Sequence, residues 1–356
     1  MQKEHRRILL ISLLRIKEEN RMKEFTFGII SYNQEDYILE LLESIRYQIE
    51  NYGKGINIYL VIADDASTDN TRKIEEAWVR ENVTLFEKTV ILDGRKNVGV
   101  VENYKKLLNA IKTDCFKTMA GDDVFADHNI FEFYAKCGDH NLTISVPVIL
   151  CDNRAILRED WYYNHFCYKK KKRSRKYDIE RQEMGSYFQS TSVFYHMNQQ
   201  RDFFREPDIS LKLFDDDCRW HSILVNDKDS HIVFEDDYLV LYRMHDGSIC
   251  QTDKNPLAAV LRKELVTYKK YIISRGTSLK TNIILHLQLK KPKNKYLYIL
   301  NYTAKFKMLY AKFAVKALPY YKNRYNIYVK QLEKTNSYVQ GIHQKAIHLK
   351  KEYINE

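Results

Sequence analysis

Short apolar runs and amphipathic segments alternate along the first third of the chain. The runs are rich in β-branched residues and typical of buried strands; they are Phe25–Ile30, Ile58–Ala63, Thr89–Leu92 and Cys115–Met119. After the first run, apolar residues recur at helical spacing, at Ile38, Leu41, Leu42, Ile45 and Ile49. This alternation predicts an α/β fold, with helices flanking a mostly parallel sheet whose crossovers are right-handed.

The middle of the chain continues the β character less regularly. A β-like run from Leu142 to Leu150 contains Pro147, which predicts an edge strand or a bend. Further β-like stretches are Gly185–Met197 and Asp237–Arg243. A basic loop is expected over residues 168–176. A helix is predicted to begin within Asp215–Asp217, with an apolar face behind it.

The C-terminal hundred residues differ in composition. From Pro256 onward the chain is rich in Lys and Tyr and has a helical period, and one segment ends at Pro319. An apolar face ringed by lysines comprises Phe306, Leu309, Tyr310 and Phe313. We therefore divide the chain into an α/β domain over residues 23–255 and a basic helical region over residues 256–356.

Residues 1–22 are set apart as an N-terminal extension. Arginines flank its apolar run Ile8–Leu14 and no small-residue cleavage site follows, so a signal peptide is not expected. The extension reads either as a short basic amphipathic helix or as a stretch upstream of a true start at Met22. We expect it to be dispensable for chemistry.

Composition and charge narrow the class of protein. Of the 356 residues, 44% are hydrophobic, which is enough for a sizeable core and excludes a disordered chain. The formal charge of +11 favours anionic partners. The six cysteines show no Cys-x-x-Cys pair, which predicts free thiols in a reducing compartment.

Polar motifs follow each predicted strand of the sheet. They are Ser31-Tyr32-Asn33-Gln34, Asp64-Asp65-Ala66-Ser67-Thr68-Asp69, Arg95-Lys96-Asn97-Val98-Gly99 and Gly121-Asp122-Asp123. Ligands of open α/β sheets bind beyond the carboxyl ends of the strands. Adjacent carboxylates there repel each other unless a cation lies between them and a phosphate. Ordinary turns and helix caps are the alternative, with Asn33 expected to cap the next helix and Asp64 its own turn.

In this order, the four motifs resemble those of the family-2 glycosyltransferases over roughly residues 25–250. Members of that family have the GT-A fold and transfer a sugar from a nucleotide diphosphate with inversion. The resemblance implies a nucleotide-sugar site that contains Ser31, Tyr32, Asp64, Asp65, Arg95, Asn97, Gly99, Asp122 and Arg243. In it Tyr32 stacks on the base, Asp65 reads the base and Asp122 faces the ribose.

The resemblance also implies a divalent metal, Mn²⁺ or Mg²⁺, held by Asp123 with Asp122 and His245. Ala120 departs from the family pattern, because many relatives have a further Asp there, and this predicts modest metal affinity. The general base that inversion requires is expected from the acidic cluster at 215–217. We favour Asp217 over Asp216, while the helix dipole alone explains at least one of these acids.

We therefore expect an enzyme that moves a UDP-hexose or UDP-HexNAc sugar to a glycan or lipid-linked acceptor in capsule or cell-surface polysaccharide synthesis. The basic C-terminal helices are expected to contact an anionic membrane at its cytoplasmic face or to form an oligomer. The main alternative is a sugar-binding protein of the same fold that has lost catalysis. A nucleic-acid binder lacks a recognised module, and a phosphatase or nucleotidyltransferase lacks the corresponding motifs.

Overall fold

The structure is a computed structural model that describes residues 23–92, 94–138, 141–185, 189–194, 211–213, 216–245, 256–290 and 309–355. The N-terminal extension, Asp215, Phe306 and residues 186–188 and 195–197 of the predicted strand Gly185–Met197 lie outside these ranges.

A four-stranded parallel sheet organises the N-terminal half. Its strands are β1 (Glu24–Ser31), β2 (Asn57–Asp64), β3 (Lys88–Leu92) and β4 (Phe116–Ala120), in the order β3-β2-β1-β4. Ser31 lies opposite Asp64, and Ile30 lies opposite Ala120. The polar motifs therefore emerge together at one edge of the sheet, as the sequence predicted.

Three helices connect these strands and cover the sheet. They are α1 (Ile38–Tyr52), α2 (Thr71–Glu81) and α3 (Val100–Ala110). Their apolar faces are buried against the strands, because the helical spacing places those residues on one side. The prediction that Asn33 caps α1 is wrong: the helix begins later, with Tyr37 at its N-cap position and no side-chain capping bond.

The rest of the α/β region adds two smaller sheets and four helices among the described residues. In chain order these elements are β5 (Val124–Phe125), α4 (Ile130–Lys136), β6 (Asn141–Ile144), β7 (Val148–Cys151), β8 (Arg154–Ile156), α5 (Glu159–Lys170), α6 (Arg175–Glu183), β9 (Val193–Phe194), α7 (Asp216–Asn226), β10 (His231–Phe234) and β11 (Val240–Arg243). The sheet orders are β10-β6-β9 and β5-β11-β7-β8.

Two sequence expectations for this region have different outcomes. The run from 142 to 150 is interrupted near Pro147 as predicted, and its two halves, β6 and β7, belong to different sheets. The basic loop over 168–176 is wrong in extent, because residues 168–170 finish α5 and residues 175–176 begin α6. Lysines are good helix formers, so basic composition alone does not indicate a loop.

The C-terminal region is helical where it is described, as predicted. It contains α8 (Pro256–Ser274), α9 (Leu279–Lys290), helical residues 309–317 and α10 (Pro319–Asn355). Helix α10 has 37 residues and buries one stripe against α1, α2 and β8. That stripe comprises Tyr328, Leu332, Thr335, Val339, Ile342, Ala346 and Tyr353. The helix is therefore part of the core of the α/β domain.

The predicted α/β class with a basic helical C-terminal region is thus confirmed. No helix within the described ranges combines the length and the apolar character of a membrane span. The five cysteines within the same ranges are free thiols, as expected.

Candidate functional site

Side-chain hydrogen bonds join the loops after β1 and β2. The Thr68 main-chain N–H donates to the Asn33 side-chain oxygen at 2.8 Å, and the Asn33 N–H donates to the Ser67 hydroxyl at 2.9 Å. Asn33 has a φ of 51°, in the left-handed region that Asn adopts more readily than most residues. These contacts fix the position of the residues that precede Asn33.

Ser31 and Tyr32 occupy opposite environments at the end of β1. Ser31 is buried and donates a 2.6 Å hydrogen bond to Oε1 of Glu75 in α2. Burial, above all, raises the pKa of Glu75 to about 8. Tyr32 is 41% exposed. The Tyr32 ring is therefore available to a ligand, while the Ser31 hydroxyl bonds inward.

Asp64 and Asp65 both accept hydrogen bonds from nearby backbone. Asp64 accepts from the Ser67 main-chain N–H at 3.0 Å and from its hydroxyl, so it caps the turn after β2. The two oxygens of Asp65 accept from the Val98 and Gly99 N–H groups, each at 2.8 Å. Asp65 therefore ties the loop after β3 to the end of β2.

That loop approaches the backbone closely at two glycines. A Cβ on Gly94 would lie 2.2 Å from the main-chain oxygen of Asp64, which only glycine can avoid. Gly99 has a φ of 89° and packs against Lys212, whose oxygen accepts from the Val101 N–H at 3.1 Å. The loop residues between these glycines, 95–97, are exposed at the carboxyl edge of the sheet.

Asp122 and Asp123 face different directions after β4. Asp122 is partly exposed, and its Oδ2 lies 3.1 Å from Nε2 of His245, whose ring packs on Tyr37. Asp123 is buried and accepts the Arg243 main-chain N–H at 3.0 Å. Burial, reinforced by the Asp122 charge, raises the pKa of Asp123 well above its usual range. Asp122 is therefore the carboxylate that solvent reaches.

The guanidinium of Arg243 lies beneath this pair. Its Nε donates to the Asp122 main-chain oxygen and its Nη2 to Oε2 of Glu40 in α1, both at 2.6 Å. Arg243 and Glu40 are almost fully buried. In this structure the guanidinium thus binds protein groups, including the backbone of the acidic turn.

Asp122 and His245 form the donor set that a divalent metal would meet at this turn. Within the described parts of the chain, no three His, Cys, Asp or Glu side chains are grouped to hold a metal ion by themselves. The 3.1 Å between Asp122 and His245 is close to the separation of adjacent ligands around an octahedral ion with bonds of about 2.1 Å. Mg²⁺ is commonly held by one or two protein ligands together with substrate phosphates. The pair fits such an ion.

The two candidate bases differ in accessibility at the start of α7. Asp217 is buried, and its carboxylate accepts a 2.6 Å hydrogen bond from the Gln182 side chain. The Asp216 side chain is 37% exposed and forms an ion pair with Arg219. Exposure thus favours Asp216 as the group that a substrate can reach, whereas the sequence favoured Asp217.

A short series of contacts joins α7 to β4. The Arg219 guanidinium lies 4.2 Å from the centre of the Tyr104 ring, and the Tyr104 hydroxyl is 2.9 Å from that of Thr118 in β4. Buried Lys117, next to Thr118, is within electrostatic reach of Asp123 and Asp216, and burial lowers its pKa to about 7. The acidic start of α7 is therefore on the same side of the molecule as the acidic turn after β4.

Sequence reasoning missed Glu40 and Glu75. Both are buried carboxylates on helices that also bury apolar residues. Glu75 lies on the same face of α2 as Ile74 and Trp78, and this is the signal that could have indicated it, because a buried charge requires a partner. Glu40 lies on the side of α1 opposite its apolar stripe, so the periodicity did not indicate its burial. The partner of Glu40 could not be found this way, since Arg243 lies 203 residues further along the chain.

Much of the α/β part of the chain matches a known protein family. Residues 26–198 match the model described as Glycosyl transferase family 2. This stretch is a family 2 glycosyltransferase domain. The resemblance drawn from the strand-end motifs is confirmed, and the domain carries every predicted site residue except Asp216, Asp217, Arg243 and His245, which lie beyond the match.

Relatives of the glycosyltransferase domain align over short stretches. An uncharacterised protein of Mycobacterium tuberculosis is 35% identical over 98 residues, which cover 28% of this chain and 26% of that protein. An uncharacterised glycosyltransferase of Mycoplasma pneumoniae is 31% identical over 123 residues, which cover 34% of this chain and 38% of that protein. The chain therefore spans well under two thirds of the curated relatives that it matches.

Among solved structures, that of residues 1–349 of S. aureus TarS with UDP is similar along most of the chain. The alignment covers 94% of this chain and 92% of that one, with 15% identity and a TM-score of 0.49.

Proposed function

We propose that this chain is an inverting glycosyltransferase that uses a nucleotide-diphosphate sugar as its donor. The observation that carries the proposal is the convergence of four polar segments at one edge of the sheet. Tyr32 follows β1, Asp65 follows β2, the 95–99 loop follows β3, and Asp122 follows β4. A base, a ribose and a diphosphate need such an arrangement of a ring, an acceptor, backbone N–H groups and a carboxylate.

The nucleotide half of the proposed site lies at β1 and β2. The exposed Tyr32 ring offers a stacking surface, and Asp65 retains unused lone pairs beside the two N–H groups that it already accepts. We assign the donor as UDP-hexose or UDP-HexNAc, which is what the family resemblance implies, and the N–H of a uracil ring can donate to that carboxylate.

The metal half lies at the turn after β4. We assign Asp122 and His245 as protein ligands of Mn²⁺ or Mg²⁺, and Asp123 as the residue that fastens the turn to β11. When bound, the ion neutralises the leaving diphosphate. Asp122 and His245 would hold that ion where the diphosphate binds.

The acceptor reacts from the side of α7. Asp216 takes the proton of the acceptor hydroxyl while the oxygen of that hydroxyl forms the new bond to the anomeric carbon. The bond from that carbon to the diphosphate breaks, and the electron pair leaves with the diphosphate. Asp217 remains the second candidate for this role.

A panel of nucleotide sugars tests this function. The full chain is incubated with UDP-, GDP- and dTDP-sugars, with Mn²⁺ or with EDTA, and release of nucleoside diphosphate is measured with and without glycan acceptors. We expect turnover of one UDP-sugar in Mn²⁺ only, and its loss in Asp122→Asn. A binding protein without catalysis would bind the nucleotide sugar and release no diphosphate.

We further propose that the enzyme contacts an anionic membrane that carries a lipid-linked acceptor. Helical residues 309–317 and the start of α10 expose Leu309, Tyr310, Phe313 and Tyr320. The Lys170 ammonium lies 3.3 Å from the centre of the Tyr320 ring, so the basic end of α5 joins this surface. Aromatic and aliphatic side chains flanked by lysines are typical of membrane-surface helices.

Vesicle sedimentation of the full chain tests this contact. We expect the double variant Leu309→Ser, Phe313→Ser to bind vesicles with phosphatidylserine at least about 10-fold more weakly than wild type. The matched control is Leu279→Ser, Ile283→Ser, since these α9 residues are 79% and 52% exposed outside the surface. Equal binding by both variants would contradict the proposal.

A further inference from the structure

Glu40 joins α10 to the acidic turn through Arg243. Its Oε2 accepts the 2.6 Å hydrogen bond from Nη2 of Arg243, and its Oε1 accepts from Nδ1 of His343 in α10 at 2.9 Å. The Glu40 side chain is 3% exposed. A carboxylate this deeply buried needs its partners, so both contacts constrain where it and Arg243 lie.

Arg243 extends this connection to both aspartates of the turn. Its Nε donates to the main-chain oxygen of Asp122, and its main-chain N–H donates to the carboxylate of Asp123. The ion pair with Glu40 holds the guanidinium in the orientation in which Nε reaches the Asp122 oxygen, whereas the bond to Asp123 is made by the backbone of β11. A planar guanidinium with fixed donor directions is suited to this, and a lysine could not replace it.

A second ion pair joins α1 to α10 beside Glu40 and provides a comparison for it. Glu43, one turn along α1, accepts from Lys345 of α10 at 2.7 Å and from the Trp78 indole at 2.8 Å. It is as buried as Glu40 and joins the same two helices. None of its described contacts reaches Arg243 or the acidic turn, so Glu43 serves stability alone.

We propose that Glu40 and His343 are positioning residues that hold Asp122 in its reactive place through Arg243. Helix α10 then contributes to the site although it lies beyond the family match. This inference rests on the proposed glycosyltransferase function. It assigns to Arg243 a role in orienting the acidic turn, in place of the direct contact with the diphosphate that the family resemblance implies.

Two matched pairs of variants in the full chain test the inference. Glu40→Gln is compared with Glu43→Gln, and His343→Gln with Lys345→Gln. Each variant alters one polar contact between α1 and α10, and the thermal midpoints of His343→Gln and Lys345→Gln should fall by similar amounts. Glu40→Gln also weakens the buried ion pair with Arg243, so its thermal midpoint should fall further than that of Glu43→Gln. Turnover number, KM for the donor and calorimetric Mn²⁺ affinity in the presence of UDP are measured for all four.

We expect Glu40→Gln to lower the turnover number and the Mn²⁺ affinity by about 10- to 100-fold, as for groups that orient metal ligands. KM for the donor should change by less than about 3-fold, because the nucleotide contacts at β1 and β2 are untouched. His343→Gln should follow with a smaller loss. Glu43→Gln and Lys345→Gln should keep the wild-type turnover number and Mn²⁺ affinity.

Similar losses in both members of each pair would overturn the inference and leave the glycosyltransferase function intact. A wild-type turnover number and Mn²⁺ affinity in Glu40→Gln would also overturn the inference and leave that function intact. A wild-type chain that binds and turns over no nucleotide sugar would overturn both, and in that case the four variants would differ in thermal midpoint alone.

Discussion

Two pairs of adjacent aspartates end strands of the same sheet and are held in different ways. Asp64 and Asp65 accept from backbone N–H groups 3 to 34 residues away along the chain. Asp122 and Asp123 depend on Arg243 and His245, which lie 120 or more residues away. The first pair is supported by local loops. The second pair requires β11, α1 and α10 to be in place.

The largest effect on turnover is expected from a substitution in the pair Asp122 and Asp123, whose partners are distant along the chain. Asp122→Asn removes the exposed carboxylate charge opposite His245, and turnover should fall by at least about 100-fold, because a metal contributes several kcal/mol at the leaving group. The thermal midpoint should change little, since Asp122 is partly exposed. Wild-type turnover in this variant would show that the reaction does not use the turn after β4.

A substitution in the locally held pair should act mainly on stability. Asp65→Ala leaves the Val98 and Gly99 N–H groups without their acceptor, which we expect to cost about 2 kcal/mol of unfolding free energy. Denaturant unfolding measures this, with Asp65→Asn as a control that retains one acceptor oxygen and should lose about half as much. An unchanged free energy would contradict the role of Asp65 in holding the 95–99 loop.

A pH-dependent effect on stability is expected at Glu75, behind the first pair. Its pKa rises from 4.5 to about 8 on folding, so the folded chain binds a proton that the unfolded chain loses between these values. Stability is therefore present below pH 4.5 and decreases as pH rises towards 8, by at most about 1.4 kcal/mol per pH unit. Glu75→Gln should flatten this slope in thermal unfolding between pH 5 and 8. A slope that persists unchanged would assign it to other groups.

These differences explain what the sequence could predict. The four strands, their helices and the strand-end motifs depend on local periodicity and on parallel strand topology, and they appear in the structure where they were predicted. The local cap formed by Asp64 was also foreseeable, because side chain and backbone are three residues apart. The role of Asn33 was not foreseeable. Its side-chain oxygen accepts from the Thr68 N–H and so joins two loops, and its backbone has a left-handed conformation.

The support of the second pair could not be predicted for a physical reason. Glu40 lies on the side of α1 opposite its apolar stripe, and its charge is compensated only when the fold brings in Arg243 and His343. In the same way, the Lys- and Tyr-rich composition of the C-terminal region indicated basic amphipathic helices packed on the α/β domain, but not which residues of α10 form the buried stripe. Composition does not reveal which face of an amphipathic helix meets protein and which meets solvent.

Calorimetric titration of UDP, GDP and dTDP tests the central claim most directly. Each nucleotide is titrated into the folded full chain and into Asp122→Ala, with Mn²⁺ and with EDTA. We predict that UDP binds the wild-type chain in Mn²⁺ and that binding is lost in EDTA and in the variant. A folded wild-type chain that binds none of the three nucleotides would contradict the glycosyltransferase account.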